Sequence, residues 1–362
     1  MSAPGCTVAE DGTVTFEHRN AAAGAVLVAG DFTGWGRAPI PLRRVDGTDR
    51  WTAAVKIPGR GLHTYKYLVD GSWIPDPANR LFRDDGFDGR NSAFVVGARA
   101  FGGPGAVRVA SLNLHTYQEP DPLDKLEQIA IAMTVMEVDL LLLQEVGEHV
   151  SDPARPNAGE QVRRHLEALT GKPWHHAWRE AHIGFDVYRE GESVIASAPL
   201  EDVTTLQLSD KGLARIALLA TTTIKGVTLR VGTTHISWEP DAAEAEASKL
   251  LAALDDTGGR SIDATLIAGD FNCHGEDRPI RRFRERGFSD VGATAGVVGP
   301  TFLAGPDGRI DFHLLRGGPG RPAPRVEAFA RVFDGDERNG YQPRVSDHAG
   351  LIGAYAWGAP RP

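Results

Sequence analysis

Asn113, Gln144, Glu145, His235, Asp270, Asn272, Asp311, Asp347 and His348 all stand at or beside the end of a segment that otherwise reads as a buried strand. VRVASLNL carries Asn113, and VDLLLLQEV runs through four leucines before delivering Gln144 and Glu145. TLRVGTTHIS delivers His235, and ATLIAGDFN delivers Asp270 and Asn272. RIDFHLL opens with Asp311, while Asp347 and His348 precede the last strand-like run. A buried strand has no use for a carboxylate at its end unless the group is hydrogen-bonded, exposed or bound to metal. Repeated on separate strands, the pattern marks one rim where polar groups converge. Carboxylates, amides and imidazoles without thiolates suit Mg²⁺, Mn²⁺ or Ca²⁺ better than a structural zinc site. Such an ion polarises a phosphoryl oxygen and orients a water. A His–Asp pair adds proton transfer near neutral pH.

The elements that must position these groups change character along the chain. Before residue 97, VTFEHR, AVLVAGDF, RWTAAVKI, HTYKYLVDG and SAFVVG are short, β-branched and aromatic, separated by turn clusters such as VDGTD and PGRG. They predict an immunoglobulin-like β-sandwich over 12–97, behind a loose tail over 1–11. GARAFGGPGA is Gly/Pro-rich and suits a linker, placed at 98–106. Beyond it, strand-like runs alternate with helix-like ones. PLDKLEQIAIAMTVME spaces Leu123, Leu126, Ile129, Ala130 and Met133 at helical intervals, and AGEQVRRHLEAL, DAAEAEASKLLAALDD and DRPIRRFRERG read as further helices. The pattern is that of a layered α/β domain over 107–358. GGPGRPAPR at 317–325 reads as an exposed loop, and 151–190 as a region whose loops shape the pocket walls.

In order and rough spacing, SLN, LLLQEV, TTHIS, GDFN, RIDFHLL and SDH resemble the endonuclease/exonuclease/phosphatase superfamily, over about residues 107–357. The resemblance implies a four-layered α/β sandwich with the site at one end. It implies Glu145 as the main metal ligand, Asn113 beside it and Asp347 close to the ion. Asp270 would orient or activate the attacking water and Asn272 would hold the phosphate. His348, oriented by Asp311, would act on the phosphoryl group or as a base. His235 would steady the phosphate or assist the leaving group, and Gln144 would support Glu145 from behind. Two features depart from relatives. Leu200–Thr234 contains neither the Tyr that AP endonucleases of this family add nor any His, and GESVIASAPL puts Glu192 and Ser193 where the family has a less polar pocket wall. Trp238 and Glu239 follow His235, and Cys273 and His274 follow Asn272, so each could contact substrate.

AVLVAGDFTGWGRAPIPL, HTYKYLVDGSWIPDP and GRNSAFVVG resemble the carbohydrate-binding module of the AMP-activated kinase β subunit and of glycogen branching enzymes. Trp35 and Trp73 sit in turn contexts beside glycine, where a large ring stays partly exposed and can stack on a sugar face. Lys66 and Asn91 match the family's polar sugar-contacting positions, and Gly34 and Gly36 are candidates for positive φ around Trp35. Tyr65 and Tyr67 alternate with Lys66 and are expected to pack inward.

Charge and composition bound the function. The 362 residues carry a formal net charge of −9. Residues 1–100 hold 12 Lys+Arg against 11 Asp+Glu, and the remainder hold 27 against 37. An acidic average disfavours a tight grip on nucleic acid. No basic-then-apolar leader and no run of about 18 apolar residues is present. Cys6 and Cys273 form no metal or disulfide framework, and a cytoplasmic protein is expected. The primary expectation is a Mg²⁺-, Mn²⁺- or Ca²⁺-dependent phosphodiesterase or phosphatase with an α-glucan-binding front module. A metal-dependent nuclease on RNA or DNA is the alternative, and a catalytically inactive glucan-binding scaffold is a second.

Overall fold

The computed structural model describes residues 6–358 apart from 10, 58–60, 80–81, 86, 88, 97–100, 153, 211, 256–258, 306–307 and 335–343. The chain divides into two compact units, one built on Met1–Arg99 and the other on Ala100–Asp336 and Gln342–Pro362.

The first unit holds strands β1 (Cys6–Val8), β2 (Thr13–Arg19), β3 (Val26–Gly30), β4 (Ile40–Pro41), β5 (Arg43–Arg44), β6 (Arg50–Lys56), β7 (Gly61–Val69), β8 (Ser72–Ile74), β9 (Phe82–Asp84) and β10 (Arg90–Val96). They form two antiparallel sheets, ordered β1-β2-β6-β5 and β4-β3-β7-β10-β9, with β8 paired to β7. Alternation decides what each face does. Tyr65 and Tyr67 point inward and are fully buried with Phe16 and Phe94. Their hydroxyls donate to the buried Asp76 carboxylate at 2.6 and 3.2 Å, which satisfies a charge that the core would otherwise leave bare.

The second unit holds β11 (Val107–Asn113), α1 (Pro122–Val135), β12 (Leu140–His149), α2 (Ala158–Thr170), β13 (His175–Gly184), β14 (Tyr188–Ala196), β15 (Leu200–Ser209), β16 (Arg215–Ile224), β17 (Val227–His235), α3 (Pro240–Asp255), β18 (Ala264–Asp270), α4 (Arg278–Glu285), β19 (Ser289–Asp290), α5 (Val291–Thr294), β20 (Asp311–Gly317), β21 (Arg325–Val332) and β22 (Gly350–Ala356). Two six-stranded sheets, β13-β14-β12-β11-β22-β21 and β15-β16-β17-β18-β20-β19, pack face to face. Val107, Val109, Leu140, Leu142 and Val194 from one sheet meet Leu218, Val231, Leu266 and Ala268 from the other. Leu250, Leu254 and Phe283 of α3 and α4 cover the outer face of the second sheet, and α2 lies against β12, β13 and β14 of the first. The result is the four-layered sandwich. Central strands covered on both faces read as continuous apolar runs, which is why they were legible as sequence.

Three strands had no such signature. β13, β15 and β21 lie at or beside sheet edges, carry mixed polar and apolar residues, and are mostly half-buried or exposed. Residues 101–106, within the tract that reads as a linker, are held by the second unit. The Arg108 guanidinium donates to the carbonyls of Phe101 and Gly103 at 2.6 and 3.1 Å, and the Gly103 N–H donates to Glu327 at 2.8 Å. Among the described residues, no helix is long and apolar enough to cross a membrane.

The topology brings the polar rim together. β11 pairs in parallel with β12 and β17 with β18, so the C-terminal ends of each pair coincide: Asn113 lies opposite Gln144, and His235 opposite Asp270. β20 and β22 run antiparallel to these strands, so their beginnings meet the same end. Asp311 lies opposite Asp270, and β22 begins just beyond His348.

Candidate active site

Asn113 is fully buried, and its amide Nδ2 donates to both acids of the rim, to Glu145 Oε1 at 2.8 Å and to Asp270 Oδ2 at 3.3 Å. Its Oδ1 accepts the His115 N–H at 3.0 Å. Glu145 sits in a β-bulge between Leu143 and Val146, with φ of 48°. A left-handed glutamate is strained, and the bulge turns its side chain out of the strand's alternation toward the rim. Asn272 is likewise left-handed, with φ of 44°. Its N–H donates to Asp270 Oδ1 at 2.8 Å, and its amide Nδ2 reaches His235 Nε2 and the Ile236 carbonyl, each at 2.9 Å. Gly269 belongs to the same device. Its φ is 148°, and a Cβ there would strike the Thr234 carbonyl oxygen on the neighbouring strand.

Charge is concentrated and buried. Burial pushes the Glu145 carboxyl up, with Glu190 beside it adding to the effect. Burial, then the neighbouring Asp311, pushes Asp270 up to about 7. Burial alone would depress His348, but Asp311 Oδ2, 2.9 Å from its Nδ1, overrides that and lifts it to about 10, so it stands as an imidazolium. Its Nε2 lies 3.7 Å from Asp270 Oδ2. Burial holds His235 well below its usual range, and it stays neutral. Because its Nε2 accepts from the Asn272 amide, its proton sits on Nδ1, 3.6 Å from Glu145 Oε1.

Of the sequence-derived candidates, Asn113, Glu145, His235, Asp270, Asn272, Asp311 and His348 therefore form one connected set. Asp347 stands slightly apart. Its carboxylate lies 3.5 Å from His115 Nδ1, which also contacts Glu119 at 3.0 Å. Gln144 does not brace Glu145. It obeys the strand alternation that Glu145 breaks, and its amide donates to Thr233 Oγ1 at 2.8 Å and the Leu142 carbonyl at 2.9 Å, tying the sheets together. Ser193 is not a pocket wall either. Its hydroxyl contacts His176 at 2.9 Å and lies beside Gly159 of α2. Glu192 is buried on the inner side, where burial pushes its carboxyl well up and Thr233 Oγ1 donates to it at 2.8 Å. Burial pushes the Cys273 thiol up to about 12, which removes it as a nucleophile.

Sequence reading missed three neighbours. His115 has φ of 53° and Thr116 of 31°. Thr116 Oγ1 donates to the Glu145 carbonyl at 2.8 Å and to Glu190 Oε2 at 2.9 Å. The only signal available was polar LHTY directly after Asn113. Glu190 carries no signal in the sequence, yet it is buried, 3.3 Å from His182.

The donor set fits a hard divalent cation. Two carboxylates, Glu145 and Asp270, are bridged by one amide and raised by burial, and a neutral imidazole lies beside both. An ion there would supply the charge that burial withholds.

Residues 110–348 match the family model described as Endonuclease/Exonuclease/phosphatase family. The chain belongs to that family. Residues 13–96 match the model described as glycogen recognition site of AMP-activated protein kinase. No curated protein matches the chain. Among solved structures, an endonuclease/exonuclease/phosphatase family protein from Leptotrichia buccalis is 20% identical with a TM-score of 0.59, covering 70% of this chain and 100% of its own. TDP2 of D. rerio complexed with single-strand DNA product is 15% identical with a TM-score of 0.54, covering 70% and 99%. The human Nocturnin catalytic domain with bound sulfate is 18% identical with a TM-score of 0.53, covering 71% and 96%. At these identities the likeness establishes the fold. Phosphoester hydrolysis with divalent metals is the general chemistry of this endonuclease/exonuclease/phosphatase fold.

The front unit presents its own candidates. Trp73 is 44% exposed, and its ring lies 6.3 Å from that of Trp35. Trp73 is paired opposite Leu68, which shares the outward face of β7 with Lys66, and Asn91 precedes the inward Ser92 on β10. Strand alternation thus puts Trp73, Lys66 and Asn91 on one outer face, with Trp35 beside it. The Lys66 ammonium is held by Asp85 at 2.6 Å. Gly34 has φ of 60° and so does its neighbour Trp35, at 59°, whereas Gly36 is not left-handed.

A divalent cation entering this centre must compete with protons on Glu145 and Asp270, since only the ionised carboxylates attract it. Mg²⁺ affinity is therefore expected to rise between about pH 6 and pH 8, with proton release largest at the acid end. Isothermal titration in buffers of different ionisation enthalpy measures this, and pH-independent binding without proton release would contradict it.

Proposed function

We propose that this chain is a divalent-metal-dependent phosphoester hydrolase in which water is the nucleophile. The reading is carried by one observation: acids, amides and imidazoles from six strand ends and their adjoining loops meet around the Glu145 and Asp270 carboxylates, with Asn113, Glu145, Asp270, Asn272 and His235 joined by hydrogen bonds and the His348–Asp311 pair lying 3.7 Å from Asp270. Glu145, with Asn113 beside it, would hold Mg²⁺ or a similar ion, and Asp347 would act from its own pairing with His115. When bound, the ion supplies positive charge for the phosphoryl oxygens.

The remaining roles follow from protonation. Asp270, poised near neutrality, accepts the proton of the attacking water. His348, held by Asp311, offers an imidazolium N–H to a phosphoryl oxygen. Asn272 turns its amide toward the same region, and neutral His235 lies between it and Glu145. The excess of acids in the second unit favours a compact phosphodiester or monoester over a nucleic acid strand, whose binding would need a basic track. The front unit binds α-glucan on the face bearing Trp35, Trp73, Lys66 and Asn91, a reading supported by its glycogen-recognition match and its exposed indole.

Glu145→Ala and Asp270→Ala are each expected to lower Mg²⁺-dependent hydrolysis of bis(p-nitrophenyl) phosphate by about 100-fold or more while the far-UV spectrum stays native; undiminished turnover in either folded variant defeats the hydrolase reading. For the front unit, Trp73→Ala is expected to weaken maltoheptaose binding by about tenfold in titration calorimetry. An unchanged affinity, or no binding to the parent chain, removes the glucan assignment.

A further inference from the structure

A cleft of about 460 Å³ adjoins the centre and shares one wall with it, because Asn272 lines both. Its other walls come from the segment after β17 and from the loop leading into α4. Trp238 is 57% exposed, which is unusual for the largest apolar side chain. The buried Arg215 guanidinium stacks on its ring, 5.4 Å from the centroid, and fixes the indole as a platform beside the cleft. Pro240 and Ile310 add apolar surface, and Ile310 directly precedes Asp311. Of the charged groups on its walls, Glu276 is paired with Arg284, and Arg278 with Asp241 and Glu244, which leaves one acceptor and one donor beside the Asn272 amide and the His274 ring. Asp277 accepts the His274 N–H at 2.7 Å and makes no ion pair with a described residue, and the Arg281 guanidinium makes neither a hydrogen bond nor an ion pair with one.

Resting on the hydrolase reading above, we infer that this cleft receives the alcohol half of the phosphoester, that this half is a sugar, and that Trp238 is the residue that selects it. A sugar has a C–H face that stacks on indole and an edge of hydroxyls that both donate and accept, which matches a carboxylate and a guanidinium side by side. A polyanionic group would meet the Asp277 carboxylate. An acyl chain would bury both charges without a partner. The volume suits a group of one or two rings. In the reaction, the water oxygen bonds to phosphorus and passes a proton to Asp270, the bond from phosphorus to the sugar oxygen breaks with its electron pair going to that oxygen, and the leaving oxygen takes a proton from solvent. The glycogen-recognition match of the front unit points independently to a chain that handles sugars.

The test uses the full chain with Mg²⁺. Its kcat/KM for glucose 6-phosphate is expected to exceed that for glycerol 3-phosphate and for 5′-AMP. Trp238→Ala is expected to cut the ratio of glucose 6-phosphate to glycerol 3-phosphate by about tenfold, chiefly through KM, and Trp238→Phe to restore much of it. A preference for 5′-AMP, or a ratio untouched by Trp238→Ala while bis(p-nitrophenyl) phosphate is turned over, overturns the sugar assignment and leaves the hydrolase reading standing. Binding of glucose 6-phosphate to the Asp270→Asn chain, followed by titration calorimetry, separates the remaining case. Binding that Trp238→Ala abolishes, in a parent chain that hydrolyses none of these esters, supports the cleft and sinks the hydrolase reading; no binding and no turnover sinks both.

Discussion

Two carboxylates that burial drives toward neutrality, those of Glu145 and Asp270, are held together by the single amide of Asn113. Taking such groups from water is costly unless a counter-charge or hydrogen bonds compensate. The chain supplies part of that compensation through Asn113, the Asn272 N–H and the imidazolium of His348. On the proposed function, a cation supplies the rest. Strain adds to the same cost at Glu145, held in a left-handed conformation that Gly or Asn adopts more readily, whereas Asn272 takes the same conformation at little cost.

The sheets exist to make that arrangement rigid. Each contributes one parallel strand pair joined through a helix, β11–α1–β12 and β17–α3–β18, and the two pairs end side by side. Antiparallel β20 and β22 then start where those pairs stop, which delivers Asp311 and His348 to the same rim. Gly269 completes the junction by removing the Cβ that would keep β18 from Thr234.

Much of this was legible as sequence because central strands covered on both faces are apolar without interruption, so a polar residue at their end is conspicuous. Asn113, Glu145, His235, Asp270 and Asp311 stood out for that reason. Edge strands escaped: β13, β15 and β21 mix polar and apolar residues and resemble loops. Side-chain direction escaped too. Gln144 and Glu145 are adjacent in LLLLQEV, yet a bulge sends the glutamate to the rim and leaves the glutamine tying the sheets to one another. Ser193 pointed away from the pocket by the same alternation. Glu190 and Thr116 were invisible because their roles depend on contacts across more than seventy positions of chain.

A cation bound at Glu145 and Asp270 is the claim on which the proposed function depends. Anomalous difference maps from crystals soaked in Mn²⁺ test it directly. The account predicts a peak bonded to a Glu145 carboxylate oxygen, within reach of Asn113 and Asp270. A centre without density at saturating Mn²⁺, or density confined to His115, Glu119 and Asp347, would contradict it.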